Sequence, residues 1–247
     1  MNVLIVHAHN EPESFNAALK DTAVAEFERG GHDVMVSDLY AMDWNPVASA
    51  ADFGSRANPD YLVYALEQRH NHEAGTLAPD IAREIEKVQW CDLLILNFPI
   101  YWFSAPAILK GWIDRVMISG VFYGGKRIYD RGGMRGKRAM VTCTLGGREH
   151  MFGPEAIHGE IETMLRPLLR GSLAYCGFGV LPPFIGYHVP YVDQQAREQI
   201  LVDYRERLNL IDRLPLLDFP SLDNFDDTLR PKRTGESISS DTLSHAS

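Results

Sequence analysis

The stretch that decides the fold is Leu93-Leu94-Ile95-Leu96-Asn97-Phe98-Pro99-Ile100-Tyr101-Trp102-Phe103-Ser104-Ala105-Pro106. Its first four residues form a short apolar run of the kind found in a strand buried on both faces. The stretch then places Pro99 and three large aromatic residues where a chain leaving a strand usually turns polar. Ser104 is a suitable helix cap and Pro106 suits a first helical turn, so we expect a helix to begin there. A strand that ends in aromatic side chains ahead of a helix indicates a surface for a flat ligand.

Short apolar runs of the same kind recur along the chain and alternate with segments of helical period. The other candidate strands are Val3 to Val6, Val34 to Val36, Ala139 to Thr142 and the region from Tyr175 to Ile185. Between them, helices are predicted around Ile81 to Val88, with Glu84 outward, around Ala105 to Val116, and from about Asp193 to Asp212. This alternation is typical of βαβ units, and it predicts an α/β fold with a doubly wound, five-stranded parallel sheet and helices on both faces.

Composition narrows the classes of function. The 247 residues are 45% hydrophobic and 23% charged, which suits one substantial core. A net charge of −9 argues against nucleic acid as a partner. The sequence contains no run of about 18 apolar residues, so no membrane span is predicted. The N-terminus lacks the features of a signal peptide. Three distant cysteines favour neither disulfides nor a zinc site, so we expect a cytoplasmic protein.

The chain shows no internal repeat and no second domain. We expect one domain over residues 1–225 and a flexible C-terminal tail over residues 226–247, since the end of the chain is rich in Ser and Thr. The polar segment from Trp44 to Thr76 is predicted to be a long irregular excursion from the edge of the sheet.

In an open α/β sheet, ligands bind at the carboxyl ends of the strands, so three strand ends are candidate sites. The first leads from His7 and His9 to Ser14 and Asn16 at a helix start, where free backbone N–H groups suit a phosphate. A helix cap without a ligand is the alternative. This first loop lacks the GxGxxG and GxxxxGK motifs of nucleotide-binding loops. Two histidines two residues apart suggest a metal, but no third ligand stands nearby and no metal site is predicted.

The second strand end is the aromatic stretch quoted above, and the third is Thr142 to Gly147. Paired glycines after a strand let backbone amides approach a ligand closely. Together the three ends predict a phosphate at one loop and a planar ring between the other two, which is the arrangement that a flavin needs.

At these residues the sequence resembles the flavodoxin-like NAD(P)H:quinone oxidoreductases of the DT-diaphorase type. The resemblance covers about residues 1 to 225, and the run Pro106 to Trp112 is its most specific motif. The other matching segments are Leu4 to His9, Ser14 to Asn16, Ser37 to Met42, Phe98-Pro99 with Trp102-Phe103, Gly146-Gly147, Ile157 to Gly159 and Cys176 to Phe178.

The resemblance implies a flavin-dependent enzyme that transfers two electrons, as a hydride, from NAD(P)H to a quinone or similar electrophilic acceptor by a ping-pong mechanism. It also implies a homodimer with shared active sites, and FAD in preference to FMN. The cofactor-binding residues that it implies are His9, Ser14, Phe15, Asn16, Pro99, Ile100, Trp102, Phe103, Thr144, Leu145, Gly146, Gly147 and Arg197.

The resemblance further implies a catalytic histidine, His158, for acid–base chemistry. The implied substrate pocket comprises Tyr123, Met151, Phe152 and Tyr175. Two of its positions depart from the family pattern, since Phe152 and Gly125 stand where the family has tyrosines. Either His158 acts alone, or water replaces the missing hydroxyl, or the substrate differs.

Two alternatives remain open from the sequence. One is a reductase of azo, nitro or other specialised electrophiles, which Phe152 and Gly125 would favour. The other is an ancillary regulatory flavoprotein of a potassium efflux system. The sequence leaves open the natural acceptor, NADH against NADPH, FAD against FMN, and the role of the tail.

Overall fold

A parallel sheet forms the centre of the protein, for which a computed structural model describes residues 1–232. The sheet order is β2-β1-β3-β4-β5, and a short sixth strand also pairs with β4. This confirms the predicted doubly wound α/β fold. The strands are β1 (Asn2–His7), β2 (Asp33–Asp38), β3 (Leu93–Pro99), β4 (Arg138–Thr144), β5 (Gly179–Val180) and β6 (Phe184–Gly186).

The last strand position is divided between β5 and β6. β5 pairs with Arg138 and Ala139, and β6 pairs with the other end of β4, from Thr142 to Thr144. Pro182 and Pro183 lie between them and have no N–H group for a ladder hydrogen bond, which explains the interruption of this edge.

Helices cover both faces of the sheet, because successive strand residues point to opposite sides. On one face, α1 and α7 pack against Val3, Ile5, Leu93 and Ile95. On the other face, α3 and α4 pack against Leu4, Val6, Leu94 and Leu96. The helices are α1 (Phe15–Arg29), α2 (Tyr64–Ala74), α3 (Pro79–Trp90), α4 (Ala107–Val116), the short α5 (Ile161–Met164) and α6 (Arg166–Leu168), and α7 (Gln194–Asn209); a π-helical turn spans Leu169–Ala174.

Two local predictions about helices are wrong. Helix α4 begins at Ala107 after Pro106, and Ser104 does not cap it. A proline disfavours helical backbone at the residue before it, so the helix starts later than predicted. Glu84 was expected outward on α3, but it is fully buried. Its carboxylate accepts hydrogen bonds from Trp112 Nε1 at 2.9 Å and from Lys87 Nζ at 2.5 Å, which compensate for its burial.

The segment from Trp44 to Thr76 does leave the sheet after the edge strand β2, but it is not irregular throughout, because it contains α2. A buried ion pair holds it to helix α4: Arg115 Nη2 lies 2.8 Å from Asp52 Oδ1. Arg115 also donates to Asp80 and to the carbonyl of Asn45. Asp52 and Arg115 are charged residues of a type usually found at the surface, but here they are buried and attach this segment to α4.

The predicted tail, residues 226–247, lies mostly outside the described residues, which end at 232. Within the described part, Asp226 N donates to Arg230 O and Lys232 N donates to Asn224 O. The division into a domain and a tail stays a prediction. In the described part of the chain, no helix has the length and apolar character needed to cross a membrane.

Candidate functional site

The carboxyl ends of β1, β3 and β4 meet at one edge of the sheet. In the register of the ladders, His7 pairs with Asn97, and Pro99 pairs with Thr144. The strand order changes direction between β1 and β3, and such a switch point opens a crevice for ligands in folds of this type. The three loops identified in the sequence therefore lie together.

The first loop leads into the start of α1. Ser14 caps the helix, and its hydroxyl accepts a hydrogen bond from Ala17 N at 3.1 Å. His9 Nδ1 accepts from Glu11 N at 2.9 Å, and burial lowers the pKa of His9, which favours a neutral ring. Phe15 is half-buried and Asn16 is buried. The helix cap that was the alternative interpretation is therefore present. Phosphate binding by this loop stays a prediction.

The second loop is a tight turn built from aromatic residues. Tyr101 and Ser104 exchange backbone hydrogen bonds of 3.0 Å in both directions. Trp102 and Phe103 between them have φ of 50° and 58°, the left-handed region that a type I′ turn requires at both central positions. Glycine and asparagine usually fill such positions, so two aromatic residues there indicate a functional constraint. Trp102 is 96% exposed, so almost none of the residues that the structure describes packs on it.

The third loop is the pair Gly146-Gly147 after β4. The segment after β6 holds its carbonyl groups: His188 N donates to Gly147 O at 2.9 Å, and His188 Nδ1 lies 2.7 Å from Gly146 O. The N–H groups of the two glycines donate to no other residue within 1–232. A Cβ on Gly147 would come within 2.9 Å of the Phe152 ring, so a side chain there would displace that ring. The loop therefore presents free backbone donors, and Gly147 leaves the Phe152 ring in its place.

A cavity of about 230 Å³ lies between the aromatic turn and the glycine loop. His158 lines it and sits between two aromatic rings, with centroids 5.3 Å from Phe103 and 5.1 Å from Phe152. The residues lining the cavity are Ile100, Trp102, Phe103, Leu145, Gly147, Phe152, His158 and Met164. Sequence reasoning named all of these residues except Met164. Met164 lies in the short helix α5, which shows no clear helical periodicity in the sequence.

Other predicted site residues lie outside the lining of this cavity. Pro99 is buried in the last position of β3, and Met151 ends the turn before Phe152. Tyr123 and Tyr175 pack against each other with ring centroids 5.3 Å apart, and Tyr129 lies against the latter at 5.6 Å. Arg197 lies on α7, where its Nε is 3.4 Å from Val189 O. The assignment of these residues to a ligand stays a prediction.

A buried polar cluster lies beneath the three loops, and sequence reasoning named three of its four members but missed Asn97. His7, Asn16, Asn97 and Thr144 are each at most 7% exposed and are joined by hydrogen bonds. One signal could have found it: Asn97 is the only polar residue in the otherwise apolar strand β3.

The residues present fit a flavin. The cavity offers apolar and aromatic walls for a flat ring, and the N–H groups of Gly146 and Gly147 suit the polar edge of such a ring. The start of α1 offers helix N–H groups to a phosphate. Within residues 1–232 no group of three or more metal-ligating side chains comes together.

Comparison with known proteins identifies the family. A family profile described as flavodoxin-like fold matches residues 1–208. The NAD(P)H dehydrogenase [quinone] 1 of Cavia porcellus is 41% identical over 220 residues, which are 88% of this chain and 80% of that protein. The human ribosyldihydronicotinamide dehydrogenase [quinone] is 42% identical over 210 residues, 85% of this chain and 91% of that one. The chain belongs to the flavodoxin-like quinone reductase family.

A solved structure from this quinone reductase family supports the same assignment. A Klebsiella pneumoniae protein described as a candidate quinone reductase superposes with a TM-score of 0.89 at 35% identity, covering 96% of this chain and 97% of that one. The resemblance inferred from the sequence is therefore confirmed at the level of family and fold.

Proposed function

We propose that this protein is a flavin-dependent oxidoreductase that transfers two electrons, as a hydride, from a reduced nicotinamide to a quinone or similar electrophilic acceptor. One observation carries the proposal: a cavity between the aromatic turn and the glycine loop, lined by His158, in a chain of the quinone reductase family. Donor and acceptor would use this cavity in turn, which gives a ping-pong mechanism.

FAD is the proposed cofactor, in preference to FMN. Asn16 and the start of α1 would hold the pyrophosphate with Ser14, and Arg197 would contact the outer part of the dinucleotide, a group that FMN lacks. When bound, the flavin supplies the two-electron chemistry that no amino-acid side chain provides. The protein supplies position, charge stabilisation and exclusion of water.

The glycine loop would stabilise negative charge. Its two free N–H groups belong to a backbone already fixed by His188, so they need no reorganisation when charge develops next to them. The aromatic turn opposite it excludes water from the same space, which strengthens each electrostatic interaction inside.

His158 would exchange a proton with the acceptor through an imidazole nitrogen. Its ring touches Phe103 and Phe152, and it makes no side-chain hydrogen bond to any described residue. An imidazole without a competing partner is free to bond to an acceptor oxygen, and imidazole is the side chain most often used for general acid–base catalysis. The absence of a hydroxyl at Phe152 makes His158 the candidate for this role on its own.

A homodimer would complete the site. Tyr123 and Tyr175 belong to the implied substrate pocket, but within the described residues they do not line the cavity of their own chain. In a homodimer a partner copy would bring these phenols to the cavity. Burial raises the pKa of both, so each remains a neutral hydrogen-bond donor at physiological pH.

The electron donor has two candidates. The two mammalian relatives have nearly equal identity to this chain, and their names refer to NAD(P)H in one case and to ribosyldihydronicotinamide in the other. NAD(P)H is the donor we propose, and dihydronicotinamide riboside is the competitor that any assay should include.

Reduction of apolar azo or nitro compounds is a second candidate activity. The observation that favours it is the apolar lining around His158, where Phe152 offers a ring but no hydrogen bond to a quinone oxygen. Phe152→Tyr should then raise the ratio of quinone to nitro turnover without changing flavin content.

The test begins with the purified protein. We expect a yellow protein that releases FAD, identified by mass spectrometry, and that oxidises NAD(P)H beyond a single turnover only when a quinone is present. A colourless protein that takes up no added flavin and oxidises no donor would contradict the proposal. A yellow protein without turnover on any donor would favour the regulatory alternative.

A further inference from the structure

The buried cluster beneath the loops forms a directed chain of hydrogen bonds. Thr144 Oγ1 at the end of β4 donates to Asn16 Oδ1 at 2.6 Å. Asn16 Nδ2 in the first turn of α1 donates to Asn97 Oδ1 at 3.3 Å. His7 Nδ1 at the end of β1 lies 3.0 Å from the same Asn97 oxygen. Two of these three bonds therefore meet at the Asn97 oxygen, in the middle of the sheet.

This chain fixes how the Asn16 amide is turned. An amide side chain has a donor end and an acceptor end, and either could face the loops. The Asn97 oxygen holds the Asn16 nitrogen, which leaves the Asn16 oxygen to orient the Thr144 hydroxyl. His7 holds the Asn97 oxygen from the other side. Burial lowers the pKa of His7, so the ring is neutral and adds no charge to the cluster.

If its only role were to stabilise the fold, this cluster would be unfavourable. Asn97 is 0% exposed, and its Nδ2 has no hydrogen-bond partner among the described residues. A buried amide group without a partner destabilises a fold, and an apolar residue in this strand would avoid the cost. Its neighbours Leu94, Ile95, Leu96 and Phe98 are all apolar and buried. An amide at this one position therefore indicates a purpose other than packing.

We propose that Asn97 is a positioning residue for cofactor binding: it orients Asn16, and through it Thr144, toward the phosphate and ring edge of the flavin. The inference rests on the proposed function, which assigns Asn16 and Thr144 to the flavin. Asn97 itself is fully buried and reaches the ligand only through these neighbours.

The first test replaces the amide by an apolar group of similar size. Asn97→Leu removes the acceptor for Asn16 and His7, and we expect the flavin dissociation constant to rise on the order of tenfold. The measurement is the fluorescence of flavin released when the holoenzyme is diluted. Tyr204→Phe is the matched control, because it removes another buried bond, 3.1 Å from Tyr204 Oη to Thr142 Oγ1, on the neighbouring strand. This control should retain wild-type flavin affinity.

A double-mutant cycle separates positioning from general loss of structure. If Asn97 acts through Asn16, then Asn16→Ala with Asn97→Leu should bind flavin no more weakly than Asn16→Ala alone. Asn97→Gln, which keeps an amide, should recover part of the affinity. Additive losses in the cycle, or a loss equal to that of Tyr204→Phe, would overturn the inference.

A variant that folds poorly does not remove the test. His7→Phe leaves the Asn97–Asn16 bond in place and removes only the imidazole contact, so we expect a smaller loss, about threefold. Unchanged flavin affinity in His7→Phe would contradict the inference, provided that the wild type holds flavin. A wild type that holds no flavin would instead contradict the proposed function.

Discussion

The His158 imidazole lies between Phe103 and Phe152 and has no side-chain hydrogen bond to a described residue. Aromatic rings restrict where the imidazole can lie, yet they neither donate nor accept the proton that a reaction would move. The position of the imidazole ring is thus fixed, while its nitrogens make no hydrogen bond to a described residue. This arrangement suits a group that exchanges protons with a ligand.

Removing this imidazole should slow the reaction without releasing the flavin. We expect His158→Ala to lower the rate of flavin reduction or of its reoxidation by about a hundredfold, the usual contribution of a general acid or base. Stopped-flow absorbance gives both rates, and the spectrum of the purified variant gives its flavin content. His150→Ala, an exposed histidine on the turn before the cavity, is the control and should behave like the wild type. Loss of flavin with no kinetic change would refute the catalytic assignment.

At the residue scale, the sequence predicts the type of side chain better than the backbone that presents it. The aromatic stretch from Tyr101 to Phe103 predicts a wall for a planar ring; Trp102 and Phe103 do line the cavity, and Tyr101 does not. The left-handed backbone at Trp102 and Phe103 could not be predicted, since such positions usually hold glycine or asparagine. Asn97 escaped notice because its partners lie 81 and 90 positions away in the chain.

At the scale of elements, the excursion between β2 and α3 depends on one buried arginine. Arg115 on α4 contacts Asp52, Asp80 and the carbonyl of Asn45, and its guanidinium lies 4.6 Å from the centre of the Trp44 ring. Burial alone would raise the pKa of Asp52, but hydrogen bonds from Arg115 and Tyr64 outweigh it and hold that pKa below its ordinary value. These contacts join the excursion to the helix that follows the aromatic turn.

Breaking this ion pair should destabilise the protein strongly. Arg115→Met leaves the Asp52 carboxylate buried without its partner, and we expect a loss of about 3 to 5 kcal/mol in the free energy of unfolding. Chemical denaturation measures it. Lys110→Met on the same helix is the control: its pair with Asp114 is exposed, so the change should stay below about 1 kcal/mol. Equal effects of the two substitutions would contradict this account of the excursion.

The pH dependence of this contribution follows from the lowered pKa of Asp52. A depressed pKa in the folded state stabilises the protein fully above the ordinary value of 3.8, and the stabilisation is lost as the pH falls through the folded-state value. The stability difference between the wild type and Arg115→Met should therefore narrow only in acid.

The elements that the sequence predicted well are those with a regular pattern. The first four candidate strands and α7 were predicted near their observed bounds, because apolar runs and helical periodicity report burial directly. The fifth candidate, the region from Tyr175 to Ile185, instead contains β5 and the start of β6. Glu84 and α2 were missed because their burial depends on distant partners: Trp112 donates to Glu84, and Gln68 on α2 donates to the Asp114 carbonyl. Local periodicity carries no information about such partners.

At the scale of the whole molecule, topology brings the functional loops together. The switch of strand order between β1 and β3 places the ends of β1, β3 and β4 side by side, although they lie far apart in the sequence. Alternation of strands and helices was enough to predict this arrangement, since parallel strands present their carboxyl ends at one edge. Within residues 1–232, Tyr123 and Tyr175 do not line this cavity, and the proposed homodimer would bring them to it from a partner copy.

We propose that this cavity passes two electrons from a reduced nicotinamide to a quinone in two separate steps. The most direct measurement is an anaerobic stopped-flow experiment on the purified holoenzyme, in which NAD(P)H is mixed first and the quinone afterwards. We predict that NAD(P)H alone bleaches the visible absorbance of the flavin in one turnover, and that quinone alone then restores it. A flavin that keeps its absorbance with every reduced nicotinamide, or a bleached flavin that quinones fail to reoxidise, would contradict the account.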